Sequence, residues 1–193
     1  MGQADAGYPR ETTGETENMK SKMIMLAAFA GATALYGQNP LTTEVKQNYT
    51  QIKGNVMKAA DEMPEADYGF MPGPGSRTFG AAVVHIAEAQ ASVCGGVKGE
   101  AAPKIDGSKT SKADAQAALK TAFDYCDPVY ESATDADATK MVKVFGRDRT
   151  MLGSLNLGVI HDNEMYGTLA VYLRAKSQVP PSSIRGGMGK KKE

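Results

Sequence analysis

The chain has 193 residues, 22 basic against 22 acidic side chains, and 41% hydrophobic and 23% charged residues. That suits one soluble globular domain and is marginal for two. A balanced charge gives no footing for nucleic acid as a partner. Two cysteines, Cys94 and Cys126, are too few for a disulfide scaffold and lack zinc-ribbon spacing.

Residues 1–18 are polar, acidic and without periodicity, so they read as disordered or untranslated, with Met19 as an alternative start. Residues 19–37 carry Lys20 and Lys22, an apolar run from Met23 to Leu35, and then small residues. That is the pattern of a secretory signal peptide, too short to span a bilayer comfortably. It predicts export to a periplasmic or extracellular location, with no stable membrane span after cleavage.

The folded part should occupy residues 38–183. Leu41, Val45, Tyr49, Ile52, Val56, Ala60 and Met63 step by three and four, predicting a first helix stopped by Pro64. Residues 64–76 hold three prolines and three glycines and form a loop. Ser76 can cap a second helix over residues 77–94, ended by Gly95 and Gly96. A third helix should start at Ser111 or Asp114, with Pro128 kinking or shortening it. Residues 134–149 read as a connection, MVKVFG being at most a short extended piece, and no strand pair is evident. The fourth helix, residues 150–176, has the clearest stripe and is closed by Pro180 and Pro181. Residues 184–193 form a flexible basic tail. One all-α four-helix bundle accounts for this pattern. If the second and third helices form a simple antiparallel hairpin, Cys94 and Cys126 lie roughly 20 Å apart along the axis. They are then buried thiols, although export would permit a bond.

The two histidines, His85 and His161, sit mid-helix at the flanks of apolar faces. Imidazole is the commonest metal ligand, and bundle interiors commonly hold such sites, but an isolated pair is more often two satisfied core histidines. Both belong to H-x-x-E pairs, with Glu88 and Glu164. A carboxylate-bridged two-metal centre would draw further on Glu44 and Asp124, which lie outside the apolar stripes. Asp162 falls inside the stripe of the fourth helix and should therefore have a partner or a shifted pKa. Candidate partners are a tyrosine hydroxyl, a backbone amide, Arg77 or Arg147; otherwise Asp162 is a group supporting the pocket or a catalytic base. No G-x-S-x-G, P-loop, G-x-G-x-x-G or C-x-x-C motif is present.

The run HDNEMYGTLAVYLRAKSQVPPSS, residues 161–183, resembles the last-helix motif of DinB-like proteins, and R-x-F-x-x-x-V-x-H-I-A-E at residues 77–88 resembles the family's second helix. The resemblance implies a metal held by one histidine of the second helix and two of the last, matching His85, His161 and the position occupied here by Met165. A thioether is neutral and soft, suited to Cu(I) rather than Zn, Ni or Mn. The resemblance thus implies a degenerate divalent-metal site. Its ancestral chemistry would be metal-dependent hydrolase or thiol-transferase action on a small molecule. The alternatives are a non-catalytic binding or interaction protein, a homodimer included, that has lost the metal, and a copper-binding protein using His85, His161 and Met165.

Overall fold

The computed structural model describes residues 1–2 and 39–184; what the sequence predicts for the leader and the basic tail lies outside them. The unit described below begins at Asn39. Its elements are α1 (Pro40–Glu62), α2 (Phe79–Lys98), α3 (Lys112–Ser132), a hairpin of β1 (Met141–Val144) and β2 (Arg147–Thr150), and α4 (Met151–Ala175).

Each helix start has a physical cause. Pro40 sits in the first turn of α1, where its missing N–H costs nothing. The cap comes from far along the chain: the Asp135 carboxylate accepts from the amides of Leu41 (3.1 Å) and Thr42 (2.8 Å), while the Asp135 amide donates to Asn39 Oδ1 (2.8 Å). The other helices are capped locally. Thr78 accepts from the Ala81 amide, Ser111 from Asp114 and Thr150 from Gly153. The second helix thus starts two residues later than Ser76 would have placed it.

α2 does not end at Gly95 and Gly96 but runs through them to Lys98, where Gly99 turns left-handed at φ 71°. The paired glycines serve packing instead. A Cβ on Gly96 would stand 2.6 Å from the Lys143 carbonyl of the hairpin laid across it. Pro128 lies inside α3, which continues to Ser132. Only the last turn follows the proline, and there the Ser132 hydroxyl donates to the Pro128 carbonyl at 2.7 Å. Residues 134–149 are more ordered than expected. Met141 pairs with Thr150 and Val144 with Arg147 in an antiparallel ladder, turned at Phe145 (φ 50°) and Gly146 (φ 74°). Two positive φ values are what a tight two-residue hairpin turn requires.

The bundle is not a succession of antiparallel hairpins. Tyr68 joins the end of α1 to the start of α2: its hydroxyl donates to the Ala60 carbonyl, and its own carbonyl accepts from the Gly80 amide. α1 and α2 therefore run opposite ways. Residues 99–111 then travel back along α2, passing Gly95 at Ala102, Glu88 at Gly107 and Gly80 at Thr110. α2 has 20 residues, about 30 Å of helix. The thirteen residues from 99 to 111 reach about 43 Å when extended, ample for the return. This strap starts α3 beside the start of α2, so the two helices are parallel. α4 reverses again, with Tyr130 near the end of α3 donating to the Leu155 carbonyl at 2.9 Å.

That topology overturns the expectation of two free thiols. Cys94 and Cys126 sit at matching heights on parallel helices, 5.6 Å apart at Cα, and form a disulfide. The sulfurs lie in the core with Phe79, Ile86, Leu119 and Leu155, all less than 2% exposed. At its other wall the core is lined by Tyr49 of α1 and Tyr130 of α3, stacked with ring centroids 3.7 Å apart. Among the described residues no helix is long and apolar enough to cross a membrane.

Candidate metal centre

α2 and α4 pack antiparallel: Arg77 meets Tyr172 through a 2.6 Å hydrogen bond, and Gly158 faces Gln90. In that register residue 161 falls within one helical turn of the level of residue 85. The two imidazoles meet edge to face with ring centroids 5.2 Å apart, and their Nε2 atoms are 3.3 Å apart. The sequence put both at helix flanks, and the packing brings them together across one groove.

The 3.3 Å separation carries chemical information. Two nitrogens bound at about 2.05 Å to a tetrahedral ion stand about 3.3 Å from one another. The same distance serves an N–H···N hydrogen bond in which one neutral ring donates to the other. Burial, then the nearby Arg77 and His161 charges, holds the His85 pKa below the usual histidine range. Near neutral pH His85 is therefore an uncharged ring with a lone pair, the state that ligates metal. Met165, one turn beyond His161, is half-buried against the core.

Asp162 is wholly buried, and its expected partners are not there. Neither a tyrosine hydroxyl, a backbone amide, Arg77 nor Arg147 reaches it. Its nearest polar contact is Oδ1 at 3.5 Å from His161 Nδ1, long for a hydrogen bond, and Oδ2 has no partner. Burial pushes its pKa up to about 6, against the opposing pull of His161. A carboxylate behind the outer nitrogen of a ligating histidine is the arrangement that fixes ring tautomer in metal sites. Here it stands at the edge of that range.

One further buried polar residue, Gln90, was not singled out from the sequence. Gln90 is fully buried on α2; its amide nitrogen donates to the Tyr130 hydroxyl at 3.3 Å and its oxygen has no partner. Gly158 of α4 leaves room for both, since a Cβ there would lie 2.7 Å from the tyrosine oxygen and 2.8 Å from the Gln90 oxygen. The signal was present: Gln90 falls on the apolar stripe of its helix, four residues from both Ile86 and Cys94.

The acidic candidates do not join the histidines. Glu164 and Glu44 are exposed, Asp124 is ion-paired to Lys120 on the surface, and the Glu88 carboxylate lies against the strap at Gly107. Among the described residues no three His, Cys, Asp or Glu side chains are grouped to hold an ion. A two-metal carboxylate centre is therefore without ligands. What remains as a candidate donor set is the pair of imidazoles, His85 and His161.

The fold has relatives among solved structures. A DinB-like protein from Bacillus cereus is 20% identical, with a TM-score of 0.64 over 75% of this chain and 97% of its own. A DinB-like protein from Bacillus subtilis is 19% identical, with a TM-score of 0.58 over 70% of this chain and 93% of its own. No curated protein matches the chain. The sequence model of the DinB superfamily matches residues 48–169, well over half of the 193, and takes in both histidines, Asp162 and Met165. On that match the chain belongs to the DinB superfamily.

Proposed function

We propose that this protein is an exported member of its superfamily that holds a divalent ion weakly between His85 and His161, with Met165 at the place of a stronger third ligand. The observation that carries the reading is the 3.3 Å between the two Nε2 atoms, the span of two ligands on one tetrahedral ion. An ion there would lower the pKa of a coordinated water or thiol, the basis of hydrolysis or of thiol transfer to a small molecule. The protein's own part is to keep His85 neutral through burial, to hold the two rings in register through the α2–α4 packing, and to set a carboxylate behind His161. The Cys94–Cys126 bond supports the exported location, because buried structural disulfides belong to oxidising compartments.

A second reading is favoured by Met165 itself: a non-catalytic binding protein in which the imidazoles hydrogen-bond to each other. A third is Cu(I) held by His85, His161 and Met165. Elemental mass spectrometry on protein purified without an affinity tag, beside a Met165→His variant, separates them. The proposal predicts substoichiometric Zn, Ni or Mn in the natural protein, and an affinity at least about tenfold higher in the variant, about 1.4 kcal/mol. Metal in the variant alone favours the non-catalytic reading, and copper in the natural protein the third. Metal in neither means that the three positions do not act together.

A further inference from the structure

The apolar surface of the hairpin is not accounted for by the fold. Phe145 sits at the turn with φ 50°, in the left-handed region that a bulky side chain rarely enters. A turn of this kind favours asparagine or aspartate followed by glycine. The Phe145 ring is 60% exposed. Phe70, Phe79 and Phe123 each pack against another aromatic ring, and among the described residues Phe145 packs against none. Along β1 burial alternates: Val144 is seated on Gly96, while Met141, Lys143 and Phe145 face outward. Met141 is 61% exposed. Cations surround this apolar pair. Residues 140–150 hold Lys140, Lys143, Arg147 and Arg149 against a single acid, Asp148, in a chain that balances 22 basic with 22 acidic residues. Lys143 answers Asp148 at 2.9 Å, and among the described residues Lys140, Arg147 and Arg149 form no ion pair. The other acids at this end are engaged. Glu100 pairs with Lys98 and Asp135 caps α1. Asp137 accepts from the Thr134 hydroxyl at the foot of the hairpin, about 13 Å of strand from the tip.

We propose that the hairpin tip docks on a lipid bilayer with anionic headgroups, Phe145 and Met141 entering the interface while Lys140 and Arg147, both exposed, meet its phosphates. An aromatic ring ringed by cations suits the boundary between headgroups and acyl chains, where one side is apolar and the other wet and negatively charged. Beside the hairpin a groove of about 610 Å³ carries Lys98, Lys140 and Lys143 against Glu100 alone, a cationic seat for a lipid phosphate. A specific protein contact takes about 800 Å² from each partner, more than a tip of two apolar side chains presents. The contact is peripheral and reversible, since two side chains bury too little apolar area for a lasting anchor. The hairpin enters α4 at Met151, ten residues or about 15 Å of helix before His161, so the proposal is independent of the metal reading.

The chain has no tryptophan, so Phe145→Trp supplies a single fluorophore at the tip. With vesicles of phosphatidylcholine and phosphatidylglycerol at about 7:3, its emission should shift to the blue and be quenched by brominated acyl chains. Val171→Trp, at a site 58% exposed and about 30 Å along α4 from Met151, should not respond. In co-sedimentation the natural protein should bind these vesicles, less so as salt is added. Phe145→Asn should weaken binding at least about tenfold, and Arg147→Gln about fivefold. Because asparagine suits the turn, Phe145→Asn should melt no lower than the parent, a result that a ring serving the fold would not give. No blue shift with the mixed vesicles, or equal binding to phosphatidylcholine alone, overturns the proposal. So does an equal response from Val171→Trp. Binding of polyglutamate without binding of vesicles overturns it too, and makes the hairpin a contact for an acidic protein.

Discussion

Removing the disulfide measures what the parallel α2–α3 arrangement contributes to stability. The perturbation is the double variant Cys94→Ala, Cys126→Ala; both residues are fully buried. The bond joins positions 32 apart in sequence, so in the chain-entropy account it restricts a loop of about that length in the unfolded state. The loss is −2.1 − 1.5R ln 32, about −12 cal/mol/K, or about 3.7 kcal/mol at 25 °C. For a domain of this size each kcal/mol moves the melting temperature by about 3 °C, so the variant should melt about 10 °C or more below the parent. Two alanines in place of sulfur add a small packing loss in the same direction. Thermal melts followed by circular dichroism give the shift. Thiol titration in denaturant without reductant gives the covalent state, which should be zero free thiols per chain. Two titratable thiols, or a double variant melting within a degree or two of the parent, would refute the reasoning.

Asp162, lifted by burial from 3.8 to about 6, binds its proton more readily in the folded protein than in the unfolded chain. The stability it contributes is therefore complete below about pH 4 and lost as pH rises through about 6. Two units correspond to about 3 kcal/mol, so metal-free Asp162→Asn should flatten that part of the stability–pH curve; an unchanged slope would sink the assignment. Gly80→Ala puts a Cβ 2.1 Å from the Thr110 carbonyl, a backbone atom that cannot step aside, and should cost roughly 2 kcal/mol or more in denaturant melts. Gly54→Ala, with nothing within 4 Å, should instead gain about 0.5–1 kcal/mol, and equal effects at the two sites would contradict the close crossing at Gly80.

What could be read from the sequence was whatever repeats locally. The three-and-four spacing from Leu41 to Met63 and from Met151 to Leu173 identifies α1 and α4, and Ser111 was one of two candidate starts for α3. What could not be read depends on contacts between distant segments. Gly95 and Gly96 look like a stop until the hairpin that crosses them is in place. A polar stretch such as residues 99–110 gives its length but not its direction, and the direction decides whether α2 and α3 are parallel. The error over the cysteines followed from that one choice. Phe145–Gly146 is a less obvious turn than Asn-Gly, and four-residue strands are too short for alternation to show. The meeting of His85 and His161 was legible on the helical wheel, because a histidine at the flank of a stripe points to the next helix whatever the connections. Asp162 was legible as buried but not as unpaired, since a sequence names candidate partners without placing them.

The strap and the sulfur bond together have a consequence for how the chain can be taken apart. Residues 95–125 form the arc of a covalent ring closed at Cys94 and Cys126, and the exposed side of that ring carries Lys104 and Lys109. A trypsin cut at either lysine opens the ring without dividing the molecule, because the fragments before and after the cut stay joined through sulfur. On a non-reducing gel the nicked protein should migrate close to the intact chain, and the two pieces should part only when the bond is reduced.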